Sequence, residues 1–383
     1  MTANRIYLDN AAGAPLRDSA RDAILHAMDQ IEGNPSSIHG SGRYSHLLIN
    51  TARDRIAGIL NAHASEIIFT SGGTEANNLA VKGLGFGSES SKGHVVSTNI
   101  EHAAVEGSLN WLEAHGVPVT RLPADSHGRI SPQQVVGALR PDTRLVSLIW
   151  IHNELGTINP VEEIGLMLRE RGILFHCDAV QTPLALDIDV GDLPVDALSF
   201  SAGKLGGPSG IGVLWLRKGT SLDPMLHGGH QEDGRRPGTE NLLGINGFAA
   251  AWQELRENRA PETERLAQLR QILFKGLAMI PDHRIQSPNE RTAPHILNVS
   301  FPGVPGEALF IRLDMAGIAV SNGSACSSGS QRPSRILRAL GLDEETAAAT
   351  IRVSWGYRTE PFAMERFIQI LGEVVKDLRE KHR

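Results

Sequence analysis

The sequence predicts an α/β fold, with a large domain built on a mostly parallel sheet flanked by helices and a smaller α+β domain beside it. Three observations point there. Short apolar runs alternate with helix-like stretches through the first two-thirds of the chain, the pattern of βαβ units. The run RLVSLIWI, Arg144–Ile151, is almost continuously apolar, as a strand buried on both faces requires. After about Glu254 the alternation gives way to a long helix with polar flanks and then a mixed run. A chain of 383 residues, 41% hydrophobic and 21% charged, is long and apolar enough for more than one core.

In chain order, EIIFT (66–70) reads as a strand and GGTEANNLAVKGL as the turn and helix after it. HVVSTN (94–99) is the next strand, followed by the helix EHAAVEGSLNWLEAHG, which Gly116 stops. RLVSLIWI is the doubly buried strand, VEEIGLMLRERG a helix, and ILFHCD (173–178) and VDALSFS (195–201) are strands. ENRAPETERLAQLRQILFKGLAMIP reads as one long helix. It is followed by the strand HILNVSF, the helix EALFIRLDMAGI, a Gly/Ser loop over 321–330, the short helix SRILRALG, the strand TIRVSWG and a terminal helix. The large domain is expected over 15–254 and the small one over 1–14 and 255–383.

Bulk properties exclude several classes. The net charge is −6, so no basic surface for nucleic acid is expected. No apolar run approaches the ~18–20 residues of a membrane span, and the first residues lack a signal pattern, so a cytoplasmic protein is expected. The two cysteines, Cys177 and Cys326, form neither a disulfide framework nor a zinc set, and no metal is expected.

The chemistry gathers where strands end. In FTSGGTEANN a strand stops in Ser-Gly-Gly-Thr before a helix; backbone amides at a helix start attract phosphate, and Thr74 adds a hydroxyl. A tight turn with a threonine cap is the plainer reading of that motif alone. Asp178 follows the strand ILFHCD and is placed to pair with a protonated ring nitrogen, with Gln181 three residues on; it also suits a helix cap. Lys204 stands just past VDALSFS, in a Gly-rich turn. A pyridoxal phosphate (PLP) enzyme needs a lysine for a Schiff base, an acid for the pyridinium and a cup for the phosphate, and Thr74, Asp178 and Lys204 supply the three in chain order. His102 in IEHAAV can lie over such a ring and move protons, or merely start a helix. Asn153 in WIHNELG can bond the ring's polar edge, while His152 beside it reads as structural. Cys326, in SNGSACSSGS, sits in the kind of exposed loop that suits a nucleophile, whereas Cys177 reads as a packed core thiol. Arg352 in TIRVSWG can fork onto a carboxylate, or be an ordinary surface arginine.

These residues together resemble the cysteine desulfurases of the NifS/IscS type, in the class V aminotransferase family of fold-type I PLP enzymes. The likeness begins at YLDNAA and GNPSSIHGSGR. It runs through EIIFTSGGTEANNLA, RPDTRLVSLIWIHNELG, FHCDAVQ, HGGHQEDGRRPGTEN and LNVSFPGVPGEAL to PSRILRALGL and IRVSWG. The resemblance implies a Schiff base on Lys204, a phosphate site from Gly73, Thr74 and Ser201, and Asp178 on the ring nitrogen. It implies Gln181 and Asn153 on the polar edge and His102 on the ring face. Thr239 would reach the phosphate of a second subunit, so a homodimer is implied. Arg352 and Asn153 would take the substrate carboxylate, and Cys326 would take sulfur from L-cysteine as a persulfide, passing it to an acceptor such as an iron–sulfur scaffold protein. The loop around Cys326 resembles the IscS-like group more than the short-loop SufS group. Selenocysteine lysis, another class V reaction, and a weakly active binding subunit are the rival readings. One departure stands out: Ser201-Ala202-Gly203-Lys204 has glycine where the family usually carries histidine before the lysine, which implies weaker PLP binding.

Overall fold

The computed structural model describes residues 5–86, 93–323 and 333–381. Its strands are β1 (Ile6–Tyr7), β2 (Ile67–Thr70), β3 (His94–Thr98), β4 (Val119–Leu122), β5 (Thr143–Ile149), β6 (Leu174–Asp178), β7 (Ala197–Ser201), β8 (Gly212–Leu216), β9 (Arg284–Ile285), β10 (Ile296–Ser300), β11 (Ile318–Ala319) and β12 (Thr350–Ser354). Among the described residues, seven of them form one sheet in the order β2-β8-β7-β6-β5-β3-β4. The five strands from β7 to β4 run parallel. β8 runs antiparallel to both β7 and β2, so "mostly parallel" is the right description. An antiparallel neighbour needs no helical crossover, and the short connection from β7 to β8 carries Lys204 instead.

Parallel sheets must be covered on both faces. On one face the helices Gly73–Gly85 and Ala103–Ala114 bury Leu79 and Leu109 against Ile68, Val95 and Leu145. On the other, the helices Gly40–Leu60 and Leu242–Glu257 bury Ile56 and Phe248 in the same cluster as Phe69, Leu148 and Trp215. Because β2, β5, β6 and β7 all point the same way, their carboxyl ends share one edge of the sheet, where open α/β folds bind ligands.

A second body holds the antiparallel sheet β12-β10-β9, covered by the helices Arg259–Leu277, Gly306–Met315 and Pro361–Lys381. The start of the chain is woven into it. β1 pairs in parallel with β11, and Ser354 N donates to Leu8 O at 2.8 Å. Residues just beyond, 9–12, are thereby delivered to the sheet edge of the first body.

Two differences from the sequence reading have physical causes. The stretch read as one long helix from Glu257 is broken at Asn258, which ends the helix Leu242–Glu257 and starts Arg259–Leu277. The helices Asp18–Gln30 and Gly40–Leu60 went unread because their exposed faces carry Leu25, Met28, Tyr44 and Leu47, which blurs the amphipathic stripe. No helix among the described residues is long and apolar enough to cross a membrane.

Candidate active site

A cavity of about 280 Å³ lies at the shared strand edge. Gly73, Thr74, His102, Asn153, Asp178, Gln181, Ser201, Lys204 and Arg352 all line it, with Asn77, Ala11 and Ala12 among the remainder. Among the described residues expected in the site, only Thr239 is missing from this lining. Thr239 is exposed and does not line its own chain's cavity. Cys326 lies outside the described residues.

Each side chain is held by its local structure. Gly73 opens a 13-residue helix whose first amides have no partner within the helix. A Cβ on Gly73 would lie 2.9 Å from Val180 Cγ2 and 3.2 Å from Ser201 Cβ, so only glycine leaves this wall open. Asp178 ends β6 at 3% exposure. Its Oδ2 accepts from Asn77 Nδ2 at 2.7 Å and its Oδ1 from Val180 N at 3.0 Å. Burial pushes its carboxyl above the usual range, and His102, Val180 N, Asn77 and Lys204 pull it back. A bound cation would lower it further.

Lys204 ends the short 3₁₀ turn after β7, and its Nζ donates to Ala12 O. Gln181 Nε2 donates to Ala11 O at 3.0 Å. One Nε2 hydrogen is left over, and Oε1 is buried without a protein partner. His102 starts a helix and also stands at the cavity. It caps the helix Ala103–Ala114, with Nδ1 accepting from Ala104 N at 3.1 Å, and its ring lines the cavity.

Arg352 is not a surface arginine. It is 2% exposed on β12, with Nη2 2.8 Å from Asp9 Oδ1 and Nη1 donating to Asn153 O at 3.1 Å. Its Nε is buried without a partner. Cys177 is fully buried in β6, and burial raises its thiol well above the ordinary range.

Sequence reasoning missed several groups. Asn77, on the helix after β2, looks like any polar helix residue until the fold brings it under Asp178. Glu101 is fully buried next to His102, accepts from Thr98 Oγ1 at 2.7 Å and Ile149 N at 3.0 Å, and is pushed up to about 8 by burial. Arg17, 2% exposed, donates through Nε to Leu205 O at 2.8 Å and pairs with Glu254 and Glu262 at 2.9 and 2.8 Å. It braces the turn that carries Lys204 from residues more than 180 positions away, a distance no local pattern reveals.

The donor set suits PLP. A helix start with two hydroxyls faces one end of the cavity, a buried carboxyl stands where a ring cation is welcome, and Gln181 offers the polar atoms that a phenolic edge would satisfy. The Aminotransferase class-V family model matches residues 6–366. A "Cysteine desulfurase IscS" from Methanosarcina thermophila is 42% identical over 98% of this chain and 93% of its own length. Among solved structures, a "NIFS-LIKE PROTEIN" superposes with a TM-score of 0.92 at 34% identity, covering 98% of this chain and all of its own. The structure titled "SspA in complex with cysteine" superposes with a TM-score of 0.82 at 36% identity, covering 92% of this chain and 99% of its own. With likeness of this extent over almost the full length of both partners, the chain belongs to the class-V aminotransferase family, in its cysteine desulfurase branch.

Proposed function

We propose that the protein takes sulfur from L-cysteine with the help of PLP, releases L-alanine, and leaves the sulfur on Cys326 as a persulfide for delivery to an acceptor. The observation that carries this reading is the convergence of Lys204, Asp178 and the helix start at Gly73 on one cavity, with a buried Arg352 in its wall. When bound, the cofactor withdraws electrons from the substrate's Cα.

The residues divide the remaining work. Gly73, Thr74 and Ser201 hold the phosphate. Asp178 holds the ring nitrogen, and Gln181 and Asn153 the polar edge. His102 packs on the ring. Lys204 Nζ would hold the cofactor, and Lys204 and His102 would move the substrate's Cα proton. Arg352 binds the substrate carboxylate through the donors that Asp9 and Asn153 leave over. The Cys326 thiolate attacks the substrate sulfur; the S–S bond forms as the C–S bond breaks, and the carbon fragment picks up protons to become alanine.

Following the resemblance, we propose a homodimer in the cytoplasm, with a protein of iron–sulfur cluster assembly as acceptor. The exposed position of Thr239, away from its own cavity, supports a second copy as the owner of the phosphate it serves. We also propose the domain division at 15–254 against 1–14 and 255–383; two of the apolar clusters, which fall almost wholly on opposite sides of it, support it.

The decisive experiment is alanine release from L-cysteine by the purified protein with PLP and a thiol reductant. Alanine in excess over enzyme is expected. No alanine with PLP bound would replace cysteine by another substrate, and no alanine without PLP would favour a binding subunit. Arg352→Lys keeps a positive charge beside Asp9 but loses the planar fork. Losing a charge-assisted bond of ~1.5–3 kcal/mol should raise KM for cysteine about 10- to 100-fold; a KM within about twofold of the parent would remove Arg352 from the substrate site.

Gly203 offers a second test. A Cβ there would meet only Ser209 Oγ, at 3.7 Å, so the position has room at its root for a side chain. Gly203→His is expected to hold PLP more tightly, by about 10-fold or more if the ring adds one bond to the phosphate. Equal retention of PLP through dialysis by parent and variant would count against that role.

A further inference from the structure

Glu154 is 6% exposed and has no part in the chemistry above. Its main chain is fixed on a buried post. Glu154 N and Leu155 N both donate to His152 Nδ1, at 3.1 and 3.3 Å. His152 Nε2 lies 2.9 Å from Ile100 O. With Nδ1 accepting, the proton sits on Nε2, and burial lowers the imidazole to about 4, so the post is neutral.

From that post the carboxyl reaches two residues far apart in sequence from it and close to each other in space. Ser334 Oγ donates to Glu154 Oε2 at 2.6 Å. The same oxygen accepts from Ile336 N and Leu337 N at 3.1 and 3.4 Å, so its hydroxyl hydrogen is left for the carboxyl. On the other side lies Gly323, at φ +83°; a Cβ there would fall 3.0 Å from Glu154 Cδ and nearer still to Oε2. Only glycine lets the chain pass so close. Arg335 adds a second clasp, donating to Asn99 O at 2.7 Å and Glu101 O at 2.6 Å, just before His102. Gly323 and Ser334 bracket the segment 324–332 that contains Cys326.

We propose that Glu154 is a positioning residue for sulfur transfer: one buried carboxyl holds Ser334 and packs against Gly323, the residues that flank the chain segment carrying Cys326, and so sets where the thiol can reach, without touching substrate. The proposal rests on the desulfurase reading for its consequence but not for its geometry.

The test compares the holoenzyme with Glu154→Ala, Glu154→Gln and Gly323→Ala. Three quantities are read: the cysteine concentration that half-saturates the change in the cofactor's visible absorbance, the rate of alanine release, and the rate at which iodoacetamide alkylates Cys326. The last needs no turnover, and Cys177 is fully buried. For Glu154→Ala the half-saturation point is expected within about twofold of the parent, with alanine release about tenfold slower or worse, since a misplacement of ~1 Å can cost more. Alkylation should change about threefold or more as the anchors loosen. Gln keeps an oxygen for Ser334 and should recover most of both rates. Should Glu154→Ala fail to fold, Gly323→Ala carries the test through alanine release and alkylation, because it keeps the Glu154 side chain but forces the carboxyl from its present position; Gly323 itself lines the cavity, so half-saturation by cysteine is compared only for the Glu154 variants. Unchanged alanine release and alkylation in the Ala variants overturn the proposal. So does a parallel loss of cysteine binding, which would make Glu154 part of the substrate wall. If the parent itself releases no alanine, the desulfurase reading fails alone, and alkylation still decides whether Glu154 positions the segment.

Discussion

Lys204→Ala is expected to fold, to lose the visible absorption of covalently held cofactor, and to release alanine about 10³-fold more slowly or worse. The folding half of that expectation comes from how the turn is built. Leu205 N and Gly207 N both donate to Ala202 O, at 2.9 Å each, and Arg17 Nε holds Leu205 O at 2.8 Å. None of these bonds uses the lysine side chain. The substitution removes the Nζ bond to Ala12 O and, with it, a partly buried charge that acts on Asp178. Removing a cation from beside a buried carboxyl moves that carboxyl further up, so cofactor held non-covalently would also meet a less anionic Asp178. Loss of the absorption with alanine release inside about tenfold of the parent would take Lys204 out of the chemistry.

The strands were legible because burial on both faces forces unbroken apolar runs. RLVSLIWI and VDALSFS became β5 and β7 to within two residues. The site was legible for a related reason. In a sheet of this kind the residues just past strand ends are brought together by topology alone, so Thr74, Asp178 and Lys204 could be matched as a set without knowing the turns between them. What stayed hidden is whatever depends on long-range packing. The local sequence leaves Arg352 between a carboxylate fork and a surface arginine, because nothing near it shows that β12 runs beside the chain start, where Asp9 meets it. Asn77, Glu101 and Glu154 were hidden likewise, since a buried polar residue is recognisable only from its partners. Arg17 is the extreme case: a cation at 2% exposure is tolerable only with Glu254, Glu262 and a carbonyl around it, and those come from three other segments.

Cys326→Ala is expected to abolish persulfide on the protein and to reduce sulfur delivery to an acceptor by about 10³-fold or more, while PLP binding is kept. The structure sharpens this by disposing of the other thiol. Cys177 pairs in register with Leu148 on β5 and Leu198 on β7, at the centre of the sheet, and is 0% exposed. Burial first, then the nearby carboxyls of Glu101, Asp178 and Asp196, hold it protonated well above its usual range. A thiol in that state is a poor nucleophile, and its sulfur has no path to a substrate or an acceptor. With two cysteines in the chain, a persulfide found after cysteine treatment therefore belongs on Cys326. Mass spectrometry of the peptide containing 324–332 should carry the extra sulfur, and the peptide containing Cys177 should not. Sulfur on the Cys177 peptide, or delivery from Cys326→Ala at the parent's rate, would mean that the acceptor draws sulfide released into solution and that Cys326 has another task.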